Sequence, residues 1–150
     1  MGDGVKSPLL QPAVFGGFDG ASSLLGVIVF LLAAHPSLIF PAALSGAVSS
    51  ALSMGAGEWL SDSEHGLAAS AVMAAATLCG ALLPAVPFAF GSGPAAVAAS
   101  AALCAGIGYA VARLRGNRGL GLALTETFGL LAVILGVTAA LAVLLPGGGA

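Results

Sequence analysis

Charged side chains are scarce in this sequence. Lysine, arginine, aspartate and glutamate make up 7% of the 150 residues, against about 25% in an ordinary soluble domain. Hydrophobic residues account for 59%, and the mean hydropathy is +1.09. A water-soluble fold needs more charge than this on its surface, so the composition predicts a protein of the lipid bilayer. With only four basic residues and a net charge of -2, no basic patch is available to bind nucleic acid.

Cysteine and catalytic motifs are also scarce. Cys79 and Cys104 each lie inside an apolar run, and their number and setting exclude a disulfide framework. We expect both to be small buried hydrophobic residues. The sequence contains no Walker loop, zinc-ligand spacing or nucleophile elbow. We therefore expect neither an enzyme nor a resident cofactor.

Long apolar runs dominate what remains. A membrane span needs roughly 20 mostly apolar residues in a helix. Five runs meet this requirement, at about residues 13–34, 38–60, 66–90, 95–111 and 120–145. The predicted fold is all-α, a polytopic membrane protein with five transmembrane helices. Residues 1–12 would be a short cytoplasmic N-terminal segment, residues 13–146 the transmembrane domain and residues 147–150 a C-terminal tail.

The basic residues predict how the chain is oriented. Lys6 precedes the first span, and Arg113, Arg115 and Arg118 lie between the fourth and fifth. An odd number of spans puts both regions on one side, which the positive-inside rule makes cytoplasmic. We therefore expect an integral, multi-pass membrane protein with a cytoplasmic N-terminus and an external C-terminus. A cleavable signal peptide is not expected, because the first apolar run is long enough to remain in the membrane.

Asp19 is the most informative residue, since it lies inside the first span. A carboxylate at the centre of a membrane helix costs about 2.5–3.5 kcal/mol on insertion scales. Such a residue faces a partner or a pathway rather than lipid. The alternative is that Asp19 only braces the bundle, for example by pairing with an arginine.

Counting outward from the first turn places other polar groups near Asp19. Asp19 and Met54 are almost equally far from the turn at residues 35–37, so we expect them at nearly one level. Glu58 follows Met54 by four residues and shares its helix face one turn nearer the cytoplasm. Glu126 enters the fifth span to about the same depth as Asp19.

This set of side chains predicts a metal site. Carboxylates suit any hard divalent ion, whereas the thioether of Met54 tilts the preference toward transition metals. Asp19, Met54 and Glu58 are the main candidate ligands, and Glu126 is a weaker one. Two alternatives stay open, because Met54 could be core filler and Glu58 an interfacial charge.

Two stretches around these residues resemble a known family. Ala13-Val14-Phe15-Gly16, followed by Asp19, Gly20 and Ser23, is similar to the first-span signature of the vacuolar iron transporter family. The run from Ala51 through Met54 and Glu58 to Ser61 resembles that family's second-span signature. A weaker resemblance covers Leu83-Pro84 to Pro87-Phe88 and residues 129–140, so that the whole extends from about residue 11 to 145.

The resemblance implies a five-span homodimer that exports ferrous iron, and often manganese, from the cytoplasm in exchange for protons. It maps the first-span aspartate and second-span methionine of the ion path to Asp19 and Met54, and the signature glutamate to Glu58. Many members carry a long, glutamate-rich cytoplasmic insertion after the second span, but here the connection is only about residues 61–65. In that connection Asp62, Glu64 and His65 could form a rudimentary metal-loading site or simply a short solvated turn.

The sequence thus predicts a divalent transition-metal exporter for Fe²⁺ or Mn²⁺ that works by proton antiport. The expected partners are the metal ion, the lipid bilayer and a second copy of the chain. The alternative is a non-transporting membrane scaffold, or a partner subunit, derived from the same fold. A scaffold would have no need of Asp19, Met54 and Glu58 in one polar column.

Overall fold

A computed structural model describes residues 8–61, 66–115 and 119–144. Five α-helices follow one another along the chain: α1 (Leu10–Ala34), α2 (Ile39–Ser61), α3 (Gly66–Ala85), α4 (Pro94–Arg115) and α5 (Leu120–Leu144). Short 3₁₀ helices precede α2 at Pro36–Leu38 and follow α3 at Val86–Ala89. The described residues contain no strand. The all-α prediction is confirmed.

Each of the five helices is long and apolar enough to cross a membrane. The predicted five-span, multi-pass membrane protein is therefore confirmed by helix length and composition. We call the end of the bundle that holds the start of α1 and the end of α4 the inner end, and the opposite end the outer end. Glu64 and His65, together with Lys6 and Arg118, lie outside the described residues.

The helix ends differ from the predicted spans in three places. The first helix begins at Leu10, not near residue 13, because Pro12 is tolerated in a first helical turn, where its missing N–H has no partner to lose. The third α-helix ends at Ala85 and continues as a 3₁₀ turn that contains Pro87. The fourth extends to Arg115, since arginines in a last turn interact favourably with the helix dipole and reach water.

The third helix is the centre of the bundle, and its contact with α1 is very close. A Cβ atom placed on Gly20 would lie 2.8 Å from the backbone nitrogen of Ala81 and would also collide with the carbonyl oxygen of Thr77. A Cβ atom on Gly80 would collide with the carbonyl oxygen of Gly17. The two backbones therefore approach each other directly, as small residues allow in membrane helices.

The main core lies toward the outer end. Its buried members come from α1, α2, α3 and the 3₁₀ turn that follows α3: Leu24, Ile28, Ile39, Ala43, Ala47, Ala81, Ala85 and Phe88. A second, smaller cluster joins α1 to the last two helices through Leu25, Cys104 and Leu131, with Phe18 packed against it. Cys104 is buried as predicted, whereas Cys79 is exposed on the surface of the protomer; both thiols are free.

Candidate ion-binding face of α1 and α2

Asp19 lies in the inner half of α1 and is half-buried. Its backbone oxygen accepts a hydrogen bond of 3.1 Å from the Ser22 hydroxyl. Among the described residues, the Asp19 carboxylate has no hydrogen-bond or ion-pair partner. A carboxylate in an apolar helix needs such a partner, a water-filled path or a cation.

The described arginines do not brace Asp19. Arg115 pairs with Glu126, at 3.3 Å between Nη2 and Oε2. Arg113 lies over the ring of Tyr109, 5.9 Å from its centre. The bracing alternative therefore gains no support from Arg113 or Arg115.

Met54 and Glu58 share one face of α2. Both side chains are half-buried, and Ser50, one turn earlier on the same face, is half-buried as well. Met73 of α3, by contrast, belongs to the buried residues, with 5% of its surface exposed. Met73 is therefore part of the core, whereas Met54 lies at the edge of the packed region.

The next residue in the chain, Gly55, holds α2 against α3. A Cβ atom there would lie 2.9 Å from the Ala74 Cβ and 3.2 Å from the Ser70 carbonyl oxygen. The Ser70 hydroxyl also donates a 2.6 Å hydrogen bond to the Gly55 carbonyl oxygen. This contact fixes the height and the rotation of the turn that carries Met54 and Glu58.

Asp19 is positioned by the same scaffold helix. A Cβ atom on Gly16 would lie 2.6 Å from the Met73 carbonyl oxygen and 2.8 Å from the Thr77 hydroxyl oxygen. That hydroxyl donates to the Met73 carbonyl oxygen at 2.9 Å, so it is held in place inside α3. Gly16 and Gly20 thus hold the turn of α1 that carries Asp19 at a fixed distance from α3.

These contacts also set the relative heights of the candidate ligands. Gly16 faces Met73 and Thr77, whereas Gly55 faces Ser70 and Ala74. Asp19 therefore lies about one turn, roughly 5 Å or a little more, closer to the outer end than Met54. The expected equal depth is corrected to a stagger, because counting residues from a turn ignores how each helix is set against α3. From the inner end toward the outer end, the order of the three side chains is Glu58, Met54, Asp19.

Serine hydroxyl groups lie on the exposed surface of α1 and α2. Ser23 of α1 and Ser45, Ser49 and Ser53 of α2 are exposed in the protomer. The Ser53 hydroxyl donates to the Ser50 carbonyl oxygen at 3.0 Å, which satisfies its proton within the helix. In a bilayer, polar side chains of this kind face a neighbouring helix or a cavity rather than lipid.

Glu126, the weaker candidate on α5, has a cation partner already. Its side chain and that of Arg115 are 37% and 41% exposed, so the pair lies at the surface of the protomer. Among the described residues, Glu126 joins Asp19 in no group of three His, Cys, Asp or Glu side chains that could hold a metal ion. The other weaker candidates, Glu64 and His65, fall outside the described residues.

Across residues 8–61, 66–115 and 119–144, no three His, Cys, Asp or Glu side chains lie close enough to hold a metal ion. An ion near Asp19 would therefore need other ligands, such as Met54, water or a second copy of the chain. Sequence reasoning missed Ser70 and Thr77, whose hydroxyls support the two ligand-bearing helices. The signal that could have revealed them is the spacing of Gly16, Gly20 and Gly55, which requires close neighbours.

Comparison with known proteins gives one match. The model of the VIT family matches residues 10–66, which comprise α1, α2 and the connection to α3. The weaker resemblance predicted for the third and fifth spans lies beyond this match. No curated protein and no solved structure matches the chain. The matched region contains Asp19, Met54 and Glu58, and over these residues the chain is similar to the VIT family.

Proposed function

We propose that the protein exports Fe²⁺ or Mn²⁺ from the cytoplasm in exchange for protons. The similarity of residues 10–66 to the VIT family supports metal-ion transport in general. The choice of metal, the counter-ion and the direction are our inference. The observation that carries it is the half-buried Asp19 carboxylate, which lies within a membrane span without a cation partner among the described residues.

The stagger along α1 and α2 favours a path over a single closed site. Glu58, nearest the inner end, would attract the hydrated ion from the cytoplasm. Met54 would then provide a soft sulfur ligand, which favours Fe²⁺ and Mn²⁺ over Mg²⁺. Asp19 would bind the ion after it has lost part of its water shell.

Protons enter this scheme through the same carboxylates. A carboxylate binds a metal ion only when it is deprotonated, so protons and metal compete for Asp19 and Glu58. Release of the metal on the external side would be favoured by protonation there. Competition of this kind is the simplest chemical route to antiport.

We further infer that two copies assemble with their α1–α2 faces toward each other. The exposed serines of this face support the inference, since a second copy would remove them from lipid. A cysteine introduced at Ser23, which is exposed, should crosslink the two copies. A cysteine at Ala21, which is buried within the protomer, is the matched control and should not crosslink.

Proteoliposome transport tests the proposal directly. Purified protein should move Fe²⁺ and Mn²⁺ across the bilayer, and a pH gradient of the correct sign should accelerate the movement. Mg²⁺ measured under the same conditions serves as the hard-ion control. A folded, dimeric protein that moves none of these ions would instead favour the scaffold or partner-subunit alternative.

Reporter fusions test the direction of export. A reporter after Gly149 should lie outside the cytoplasm, and one placed within residues 115–118 should lie inside. If both reporters lie on one side of the membrane, the proposed orientation is wrong.

A further inference from the structure

A cavity opens between α1, α4 and α5 at the inner end. Its volume is about 670 Å³, within the range of ligand pockets. Most of its lining is apolar, including Phe15 and Phe18 of α1, Leu114 of α4 and Leu130 of α5. The ligand it fits must therefore have a substantial hydrocarbon part.

The polar part of the lining contains Gln11, Arg115 and Glu126. Gln11 lies in the first turn of α1 and Arg115 in the last turn of α4, so both are at the level where the helices leave the bilayer. The cavity is thus amphiphilic, with its charged end at the membrane boundary and hydrocarbon along the rest. A phospholipid has the same division.

The charges at this end favour an anion. One guanidinium nitrogen of Arg115 donates to Glu126, and an arginine has five N–H groups in all. Arg113, two residues earlier, adds a second positive charge to the same turn. Arg113 is not part of the cavity lining, so an anion would bind to the N–H groups of Arg115 that Glu126 leaves free, and Arg113 would add only a weaker attraction from a distance. Basic pockets of this type between membrane helices bind lipid headgroups.

We propose that this cavity binds one anionic phospholipid per protomer, with the phosphate at Arg115 and an acyl chain along Phe15, Phe18 and Leu130. The planar guanidinium can donate two parallel hydrogen bonds to phosphate oxygens. The apolar lining would stabilise the acyl chain of a lipid but not an inorganic phosphate ion. The ligand is therefore a lipid phosphate. The proposal does not depend on metal transport.

The experiment measures lipid binding to the full-length protein in neutral detergent by native mass spectrometry. Phosphatidylglycerol should bind more tightly than phosphatidylcholine. Arg115→Gln should weaken phosphatidylglycerol binding about tenfold, equivalent to about 1.4 kcal/mol. Arg113→Gln is the matched control, because it removes the same charge from the same turn but lies outside the cavity lining; its effect should stay within about twofold.

Two further variants test the geometry. Glu126→Gln releases Arg115 from its carboxylate partner and should strengthen phosphatidylglycerol binding. Leu130→Trp fills the apolar part of the cavity while keeping every charge, and should weaken phosphatidylglycerol binding. This variant tests the cavity independently in case Arg115→Gln does not fold. Equal losses from Arg113→Gln and Arg115→Gln would overturn the proposal in favour of diffuse charge attraction. Equal binding of the two lipids, or competition by inorganic phosphate at the same concentration, would overturn it as well.

Discussion

The first three helices and the last two are built in different ways. The contact between α1 and α3 is backbone against backbone at Gly20 and Gly80, and Gly55 brings α2 close to the Ala74 Cβ and the Ser70 carbonyl oxygen of α3. In α5, Gly121, Gly129 and Gly136 have nothing within 4 Å of the position a Cβ atom would take. The residues proposed to handle metal lie on the tightly packed helices, whereas the last two helices provide an apolar surface and a charged inner end.

This difference in packing indicates which side chains must be held in precise positions. An ion path needs ligands held within a fraction of an ångström, and α3 provides this by fixing α1 and α2 through close contacts and two hydroxyls. The fourth and fifth helices meet each other and α1 through side chains such as Phe128 and Leu131, each of which would lie 3.3 Å from a Cβ atom placed on Gly108. Contacts of side chains adapt more readily than contacts of backbones, so this pair is the more tolerant part of the bundle.

The largest expected effect comes from Asp19→Asn, which keeps the shape of the side chain and removes its charge. Changing even a supporting residue of a metal site costs about 10–100-fold in affinity or activity, and a direct ligand should cost at least as much. Metal uptake into proteoliposomes should therefore fall by about that factor or more. Yield and dimer formation should remain near the wild-type level. Undiminished transport would contradict the proposed path.

The contrast between the two regions can be tested with one substitution in each. Gly20→Ala should destabilise the protein by about 1–3 kcal/mol, because the new methyl group overlaps the α3 backbone and neither helix can yield easily. Gly136→Ala is the matched control and should be neutral or stabilising by up to about 1 kcal/mol, the gain in helix propensity. Thermal unfolding in detergent measures both. Equal effects would show that the two regions do not differ in packing.

Much of this architecture could be predicted from the sequence. Five spans followed from the apolar runs, and the predicted start of the third span near Gly66 and end of the fifth near Leu145 are close to the observed bounds at Gly66 and Leu144. Asp19 and Glu58 were recognisable because charge is so rare that each carboxylate in a span demands a reason, and Met54 because it lies four residues before Glu58 on the same helix face. These predictions needed only local composition and the thickness of a bilayer.

The relative heights and partners of the helices could not be predicted in this way. The stagger between Asp19 and Met54 depends on how Gly16 and Gly55 each fit against α3, which is a tertiary property. The same holds for Glu126, whose depth along α5 matched that of Asp19 but whose partner is Arg115. Counting residues predicts only how deep a side chain lies in the membrane. The direction in which the side chain faces depends on how its helix packs against the others.

Met54→Leu tests the soft-ligand role with a smaller expected effect. Leucine preserves most of the volume and deletes the sulfur, so the packing of this half-buried position should change little. Transport of Fe²⁺ and Mn²⁺ should fall within one order of magnitude, and any Mg²⁺ transport should fall less. The measurement is the ratio of rates in proteoliposomes. A loss that is equal for all three ions would indicate a structural role for Met54.

The smallest effect is expected from Glu126→Gln, which removes one partner of the ion pair on the loosely packed side. The pair is 37–41% exposed, and ion pairs open to solvent contribute about 0–1 kcal/mol because water and salt screen them. The free energy of unfolding should therefore fall by less than about 1 kcal/mol, and the difference from wild type should shrink as salt is raised. Metal transport should fall far less than in Asp19→Asn, since the carboxylate of Glu126 is already engaged by Arg115. A collapse of transport comparable to that of Asp19→Asn would place Glu126 on the ion path and would remove the functional contrast between the first three helices and the last two.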